Sequence, residues 1–174
     1  MKSKDILIME EYRRKMKTTF DEIIEVVLEH EGGLVDDPKD TGGLTNLGIS
    51  QRAYPDEDIR GLTVERAKEL YKRDYWDRFK VSSLPDRLRH IFVDMCINMG
   101  GGRATKILQE ACNSKNSYKI DVDGGIGKNT IKAASNVEDF RLRAYRVMFY
   151  AELVMKKPEQ ERFWVGWFRR SCEV

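Results

Sequence analysis

The sequence of 174 residues is poor in several features that mark special classes of protein. Its 4 Pro and 13 Gly are too few for a collagen-like or a Pro/Gly-rich low-complexity chain. The formal net charge is only +2, and 41% of the residues are hydrophobic, which argues against a disordered chain. So small a positive excess also gives little support to nucleic-acid binding, because that requires a cluster of cationic contacts.

Cysteine is scarce as well, with only Cys96, Cys112 and Cys172 in the chain. An odd number without a Cys-x-x-Cys pair indicates a reducing compartment, or at most one optional disulfide. The two histidines, His30 and His90, share no metal-ligand spacing with these cysteines. We therefore predict no metal site and no cofactor.

A long hydrophobic run is also missing. The apolar patch from Ile6 to Met9 is broken by Glu10, which makes it too short for a signal peptide. Nowhere does the chain approach the ~20 apolar residues of a membrane span. The sequence thus predicts a monomeric protein that is made in the cytoplasm and does not insert stably into a membrane, and its length favours a single domain.

Helical periodicity of apolar residues dominates the rest of the chain. The first stripe runs from about Thr18 to Glu31 and is followed by the pair Gly32-Gly33. Further helices are predicted at residues 63–71, 88–99, 104–112, 137–155 and, after Pro158, 163–168. In the first of these, Thr63 can cap the start, and the apolar face consists of Val64, Ala67, Leu70 and Tyr71. The segment LVDDPKDTGGLTNLGIS has no helical period but contains turn signals, and we expect a small β-hairpin or meander there. The predicted fold class is α+β and predominantly helical.

Glu31 occupies an unusual place for a carboxylate. It follows Val27 by four residues and Leu28 by three, so it continues the apolar stripe at the end of the first helix. Loss of hydration and the negative end of the helix dipole both disfavour the charged form, the dipole by ~0.3–1 kcal/mol. We therefore expect a raised pKa for Glu31.

Asp40 and Thr45 flank Gly42-Gly43 in the predicted hairpin, and a hairpin folded over the helix end would bring them to the same cleft as Glu31. Asp40 should stay ionised in a polar loop. Glycoside hydrolysis needs one protonated carboxylic acid and a second group that positions or activates water. The alternative interpretation is that Glu31 is a surface residue of a fraying helix and that Asp40 forms an Asx turn.

The segment HEGGLVDDPKDTGGLTNLGIS resembles the signature of glycoside hydrolase family 108, a family of bacterial and phage N-acetylmuramidases. The matching positions are Glu31-Gly32-Gly33, Asp37-Pro38, Asp40, Gly42-Gly43, Thr45, Asn46 and Gly48-Ile49. Weaker matches follow at Tyr75-Trp76 with Leu84-Pro85, at Phe92, Asp94, Asn98 and Gly100, from Gly124 to Thr130, and at Gly166-Trp167 with Arg170. The resemblance implies a lysozyme-like fold, with the hairpin beside the active-site cleft.

The resemblance also implies an activity, which is hydrolysis of the β-1,4 bond between N-acetylmuramic acid and N-acetylglucosamine in the glycan strands of peptidoglycan. The catalytic acid of the family corresponds to Glu31. The order Glu, Asp, Thr is similar to the triad of phage-type lysozymes, which implies that Asp40 positions or activates water and that Thr45 assists. Four residues separate Asp40 from Thr45, one fewer than in that pattern, and Asp37 is a competitor for the second role.

Five residues are predicted to bind the substrate: Asn46, Tyr75, Trp76, Asp94 and Asn98. Asp94 and Asn98 lie four residues apart and share a helix face, either along the sugar groove or as ordinary surface residues. Tyr75 and Trp76 either stack on sugar rings or belong to the core.

The C-terminal part of the sequence resembles a peptidoglycan-binding module. The run from Asp121 to Gly125 resembles a calcium loop, but Lys132 occupies the twelfth position, where an EF-hand needs Glu, so we expect a tight turn. The predicted division is an N-terminal extension (1–17), a catalytic core (18–112) and a C-terminal helical part packed on it (113–174).

Two rival functions stay open. A lytic transglycosylase would cleave the same bond with a single glutamate, and a non-catalytic cell-wall-binding or secretion-activating protein would retain only the fold. Since no signal peptide is recognised, the enzymatic interpretation implies a phage or prophage endolysin that reaches the periplasmic or extracellular wall through a holin.

Overall fold

The computed structural model describes residues 19–30, 33–35 and 43–173, and the predicted residues Glu31, Asp37 and Asp40 lie outside these ranges. The helices in the described ranges are α1 (Phe20–His30), α2 (Val64–Tyr71), α3 (Asp86–Met99), α4 (Gly101–Lys115), α5 (Lys128–Ala134), α6 (Asp139–Lys156) and α7 (Trp164–Glu173). A π-helical segment (Lys72–Asp77) and two 3-10 turns (Val81–Ser83 and Pro158–Phe163) complete the helical part, and the strands are β1 (Thr45–Asn46) and β2 (Ile49–Ser50). The predicted α+β, mainly helical class is confirmed.

The small β element is an antiparallel hairpin. Thr45 pairs with Ser50, and Asn46 pairs with Ile49. The two residues between the strands, Leu47 and Gly48, have φ angles of 51° and 73°. Positive φ at both central positions is the requirement of a type I′ turn, whose twist matches that of the flanking strands.

A further residue extends the hairpin towards a meander. Val35 forms a β-bridge with Thr45, in which each backbone N–H donates to the other residue's carbonyl oxygen at 2.8 and 2.9 Å. Val35 therefore pairs with β1 as a third strand would. Both alternatives of the prediction, hairpin and meander, describe part of what forms.

The hairpin rests on the smaller of two apolar clusters. Ile49 is buried there together with residues of α1, α2 and the loop before α2, namely Ile24, Val27, Ile59, Leu62, Ala67, Leu70 and Tyr71. The Tyr71 hydroxyl also donates to the carbonyl oxygen of Leu47 at 3.0 Å, which ties the turn of the hairpin to the end of α2. Burial and this hydrogen bond together orient the hairpin on the helical body.

The larger cluster surrounds α3, whose residues Leu88, Ile91, Phe92 and Met95 are fully or almost fully buried. Helices α4 and α6 pack against α3 and against each other, and α5 and α7 lie on the outside of α4 and α6. Helices α4, α5 and α6 thus share one core with α3. No helix within the described ranges has the length and apolar character needed to cross a membrane.

The start of α2 differs in one detail from the predicted apolar face. Thr63 is the expected N-cap, and its hydroxyl accepts the backbone N–H of Arg66 at 3.1 Å. Val64, predicted to face inward with Ala67 and Leu70, is 43% exposed. It occupies the first helical position, where the side chain projects back beyond the helix end towards solvent.

Candidate active site

Strand β1 supplies the two predicted site residues of the hairpin that the structure describes. The Thr45 hydroxyl donates to the carbonyl oxygen of Gly43 at 3.2 Å, which closes the bend before the strand. The Asn46 amide nitrogen donates to the carbonyl oxygen of Ile59 at 3.1 Å. Asn46 therefore joins the hairpin to the loop before α2, and the half-buried Thr45 hydroxyl stays on the hairpin itself.

The loop after β2 is shaped by one amide group. The Nε2 atom of Gln51 donates to the carbonyl oxygens of Tyr54, Pro55 and Glu57 at 3.0–3.1 Å. Three carbonyls that converge on one donor group fix the path of this loop. The loop consequently forms a defined edge next to the hairpin.

A charged cluster links this loop to the π-helical segment. The Tyr54 hydroxyl donates to Oδ2 of Asp74 at 2.8 Å, and Arg73 donates from Nε and Nη2 to the two Asp74 oxygens. The Arg73 guanidinium holds the pKa of Asp74 below its usual value. Burial, and then the hydrogen bond to the Asp74 carboxylate, raise the pKa of Tyr54, so its hydroxyl stays a donor.

A groove of about 1220 Å³ opens beside this cluster, and we call it the junction groove. It is lined by the loop 53–57, by residues 73–75 and 78–79, by the end of α3, and by residues of α4 and α6. Its aromatic lining residues are Tyr54, Tyr75, Phe79, Tyr145 and Phe149. This volume exceeds the ~300–1,000 Å³ of an ordinary small-molecule pocket and suits an extended polymer.

The two aromatic residues predicted to bind sugar have different positions. Tyr75 is half-buried and lines the junction groove. Trp76 is only 7% exposed and meets Phe20 edge to face, with ring centroids 5.7 Å apart. Trp76 therefore belongs to the core cluster, which is the second of its two predicted alternatives.

Asp94 also departs from its predicted position in a substrate groove. It is 3% exposed, and the side chains of Arg146 and Arg170 cover its carboxylate. Asn98, on the same face, is exposed, and its amide donates to the Asp94 carbonyl oxygen at 3.2 Å. Neither residue lines the junction groove. Long arginine side chains from α6 and α7 cover the face of α3 that carries Asp94. The residue pattern of α3 alone cannot reveal this cover, because both arginines are remote in sequence.

Several polar groove residues were not predicted from the sequence. Arg103, Lys106 and Glu110 on α4 line the junction groove together with Ile107. Their spacing of three and four residues was a usable signal, because charged residues on one helix face recur at that interval. The apolar stripe of Ala104, Leu108 and Ala111 lies on a neighbouring face of this helix and belongs to the core.

The glycine-rich turn before α5 is organised by the buried Gln109. Its Nε2 donates to Oδ1 of Asp123 at 2.7 Å and to the carbonyl oxygen of Gly125 at 3.0 Å, while its Oε1 accepts the N–H of Gly124. The hydrogen bond from Gln109, and then the one from the backbone N–H of Gly125, lower the pKa of Asp123. Among the described residues no three potential metal ligands come together.

Comparison with known proteins identifies both halves of the chain. Residues 24–100 match the family Glycosyl hydrolase 108, and residues 103–172 match the family Predicted Peptidoglycan domain. The solved structure of Brucella abortus SagA is similar at a TM-score of 0.73 and 28% sequence identity, over 88% of this chain and 89% of that one. No curated protein matches.

These similarities agree with the arrangement of the described elements. The first matched segment contains most of α1, the hairpin, α2 and α3, and the second contains nearly all of α4 to α7. The lysozyme-like α+β fold is confirmed. Residues 24–100 thus match the glycosyl hydrolase 108 family and residues 103–172 a peptidoglycan domain, and together these matches support a glycosyl hydrolase that acts on peptidoglycan.

Proposed function

We propose that this protein is an N-acetylmuramidase that cleaves the β-1,4 bond between N-acetylmuramic acid and N-acetylglucosamine. The observation that carries the proposal is the family match over residues 24–100, which includes Glu31, Asp40 and Thr45. Glu31 directly follows the last residue of α1, and Thr45 lies in β1. The hairpin that holds Thr45 packs on the same apolar cluster as Val27 of α1.

Glu31 is the general acid of the proposed reaction. In its protonated form it donates to the glycosidic oxygen as the bond to the anomeric carbon breaks. Asp40 accepts a proton from the attacking water, and the Thr45 hydroxyl helps to position that water. The proton lost by Glu31 leaves with the new hydroxyl of the released sugar, and the water oxygen bonds to the anomeric carbon.

The stereochemical outcome follows from where the water attacks. Water activated by Asp40 on the face opposite the leaving group inverts the anomeric centre. Inversion requires about 6.5–9.5 Å between the two carboxyl groups, since a water molecule must fit between them, whereas retention requires about 5–5.5 Å. Proton NMR of the first-formed anomer from a soluble glycan substrate distinguishes these outcomes, and a retained anomer would contradict the role of Asp40.

Glu31→Gln tests the acid, because glutamine keeps the shape of the side chain but has no acidic proton. We expect a loss of activity of about 10²–10⁴-fold in a cell-wall lysis assay. Glu29→Gln is the matched control, since Glu29 is an exposed residue of α1 and its substitution should leave the rate unchanged. Equal rates for wild type and Glu31→Gln would overturn the assignment.

Mass spectrometry of the digest separates the proposed hydrolysis from the transglycosylase alternative. Hydrolysis adds one water to each cleaved bond and leaves a reducing N-acetylmuramic acid end, whereas a transglycosylase leaves an anhydro end that is lighter by one water. Soluble fragments with anhydro ends would overturn the muramidase proposal. Binding to the wall without any fragments, in wild type and variant alike, would favour the non-catalytic alternative.

A further inference from the structure

The junction groove is lined by charged residues of both signs, and several of them have no ion-pair partner within the described ranges. Its lining includes the cations Arg73, Arg78, Arg103, Lys106 and Lys156 and the acids Asp56, Glu57, Asp74, Glu110 and Glu152. Three of the acids are paired, Asp74 with Arg73, Glu152 with Lys156, and Glu57 with Arg66. Within the described part of the chain, the groove residues without an ion pair are Arg78, Arg103, Lys106, Asp56 and Glu110.

These charges are ordered along α4. Arg103, Lys106 and Glu110 stand at positions i, i+3 and i+7, and all three face the groove. At 1.5 Å per residue, Glu110 lies about 10 Å further along the helix axis than Arg103. An extended peptide of three residues covers about the same length. The groove thus presents cations at one end and a carboxylate roughly three peptide residues away.

Aromatic rings support the two arginines at the cationic end. The Arg103 guanidinium lies 5.1 Å from the Phe149 ring centroid, and that of Arg78 lies 5.7 Å from the Phe79 centroid. A guanidinium over an aromatic ring keeps its N–H donors free at the edge, where they can bind a carboxylate. Phe79 is itself held close to the backbone of Gly101, since a Cβ at that position would overlap its ring.

The unpaired charges identify the part of peptidoglycan that fits here. The sugar rings of the glycan carry no amino group in its charged form, so a neutral strand would leave these side chains without partners. A stem peptide has several carboxylates and, on its diamino acid, a free amine. A phosphate-rich polymer fits less well, because the lining has as many acidic as basic residues.

We propose that the junction groove binds the stem peptide of peptidoglycan, with its carboxylates at Arg78, Arg103 and Lys106 and the amine of its diamino acid at Glu110. This inference rests on the proposed function, because it assumes that peptidoglycan is the substrate. The groove lies where the hydrolase and peptidoglycan segments meet, with Arg78 in one and Arg103 in the other. Binding of the stem peptide there would orient its glycan strand across both segments.

Calorimetry with the full-length protein tests the cationic end. The probe is the free tripeptide N-acetyl-L-alanyl-γ-D-glutamyl-diaminopimelate, whose only amine is the one on the diamino acid. We expect the double variant Arg103→Gln/Lys106→Gln to weaken binding by at least about tenfold, because charge-assisted hydrogen bonds to carboxylates are lost. Arg169→Gln is the matched control, an exposed arginine of α7 outside the groove, and should bind like wild type. Unchanged binding by the double variant would overturn the proposal.

A second comparison tests the position of the amine. Glu110→Gln should weaken binding of the free tripeptide but not of a tripeptide whose side-chain amine is acetylated. All substituted residues are exposed, so circular dichroism should show an unchanged thermal midpoint for each variant. Equal loss of affinity for both peptides would contradict an amine site at Glu110.

Hydrolysis assays separate this inference from the proposed function. On glycan strands that carry stem peptides, the double variant should have a KM at least about fivefold higher and a nearly unchanged kcat. The reason is that the lost contacts stabilise the bound substrate and the transition state equally. On strands stripped of peptides by an amidase it should match wild type. Tripeptide binding without hydrolysis of either substrate would overturn the muramidase proposal alone, and hydrolysis without tripeptide binding would overturn the groove proposal alone.

Discussion

One carboxylate oxygen of Asp94 accepts two hydrogen bonds from Arg170, from Nε at 2.9 Å and from Nη2 at 2.7 Å. The other oxygen lies 2.6 Å from Nη2 of Arg146, in ionic contact but without hydrogen-bond alignment. Arg146 is fully buried, and Asp94 is 3% exposed. Since Asp94 belongs to the hydrolase segment and both arginines belong to the peptidoglycan segment, this buried triad joins the two.

Asp94→Asn should strongly destabilise the fold. The substitution leaves the buried Arg146 without its counter-charge, a change that costs about 3–5 kcal/mol in comparable buried pairs. Urea unfolding followed by circular dichroism measures the loss. Asp86→Asn is the control, because its pair with Arg89 is at the surface and should contribute no more than about 1 kcal/mol. Similar values for the two variants would show that the triad is not a major source of stability.

Gly101→Ala should disturb the junction groove, whereas Gly102→Ala should not. A Cβ on Gly101 overlaps the Phe79 ring, but nothing lies within 4 Å of a Cβ on Gly102. We expect Gly101→Ala to displace Phe79 and lower the thermal midpoint. Gly102→Ala should stabilise the protein by about 0.4–1 kcal/mol through a less flexible unfolded chain. Thermal unfolding of both variants, with tripeptide affinity as a second readout, checks this, and equal effects would contradict the close packing.

The contribution of Glu138 to stability should be lost in acid. Lys115 first, and then Arg141, lower the pKa of Glu138 from 4.5 to about 2. A lowered folded-state pKa stabilises the protein above pH 4.5, and this contribution disappears as the pH falls from 4.5 towards 2. Wild type should therefore have a higher thermal midpoint than Glu138→Gln at pH 7, and the difference should shrink below pH 4.5. Glu159→Gln, at an exposed residue, should show no such trend.

Thr45 can be tested by a pair of substitutions that separate its hydroxyl from its shape. Thr45→Ser keeps the donor to the Gly43 carbonyl oxygen, and Thr45→Val keeps the β-branched side chain that suits a strand. If the hydroxyl positions water, Val should reduce kcat by at least about tenfold while Ser retains most of the rate. Thermal midpoints control for folding. Equal kcat in both variants would remove Thr45 from the proposed mechanism.

Thiol accessibility should follow burial. Cys96 and Cys112 are buried, Cys172 is exposed, and all three are free thiols. Burial raises the pKa of Cys112 to about 12 and raises that of Cys96 as well. A thiol-reactive dye should therefore modify one cysteine in the native protein and three in denaturant, because the thiolate is the reactive form. Rapid modification of more than one native thiol would contradict the packing around α3 and α4.

Local patterns along the chain were sufficient to predict most of the secondary structure. The apolar spacing of Ile23, Ile24 and Val27 predicts α1, and Thr63 marks the start of α2 by its capping hydroxyl. Gly48 is one of the turn signals of the predicted hairpin, and it forms the turn together with Leu47. These features depend on residues close in sequence, so tertiary contacts were not needed to foresee them. The catalytic assignments of Glu31 and Asp40 remain predictions, since both lie outside the described residues.

The sequence by itself thus determined the order of helices around a small hairpin and the family-like motif that includes Glu31, Asp40 and Thr45. The tertiary structure alone decided that Trp76 lies in the core, that Asp94 binds two arginines, and that the charged face of α4 opens on the junction groove. The physical reason is distance along the chain. Asp94 and Arg170 are 76 residues apart, and no local period reports which side chain from a remote helix will cover a given face.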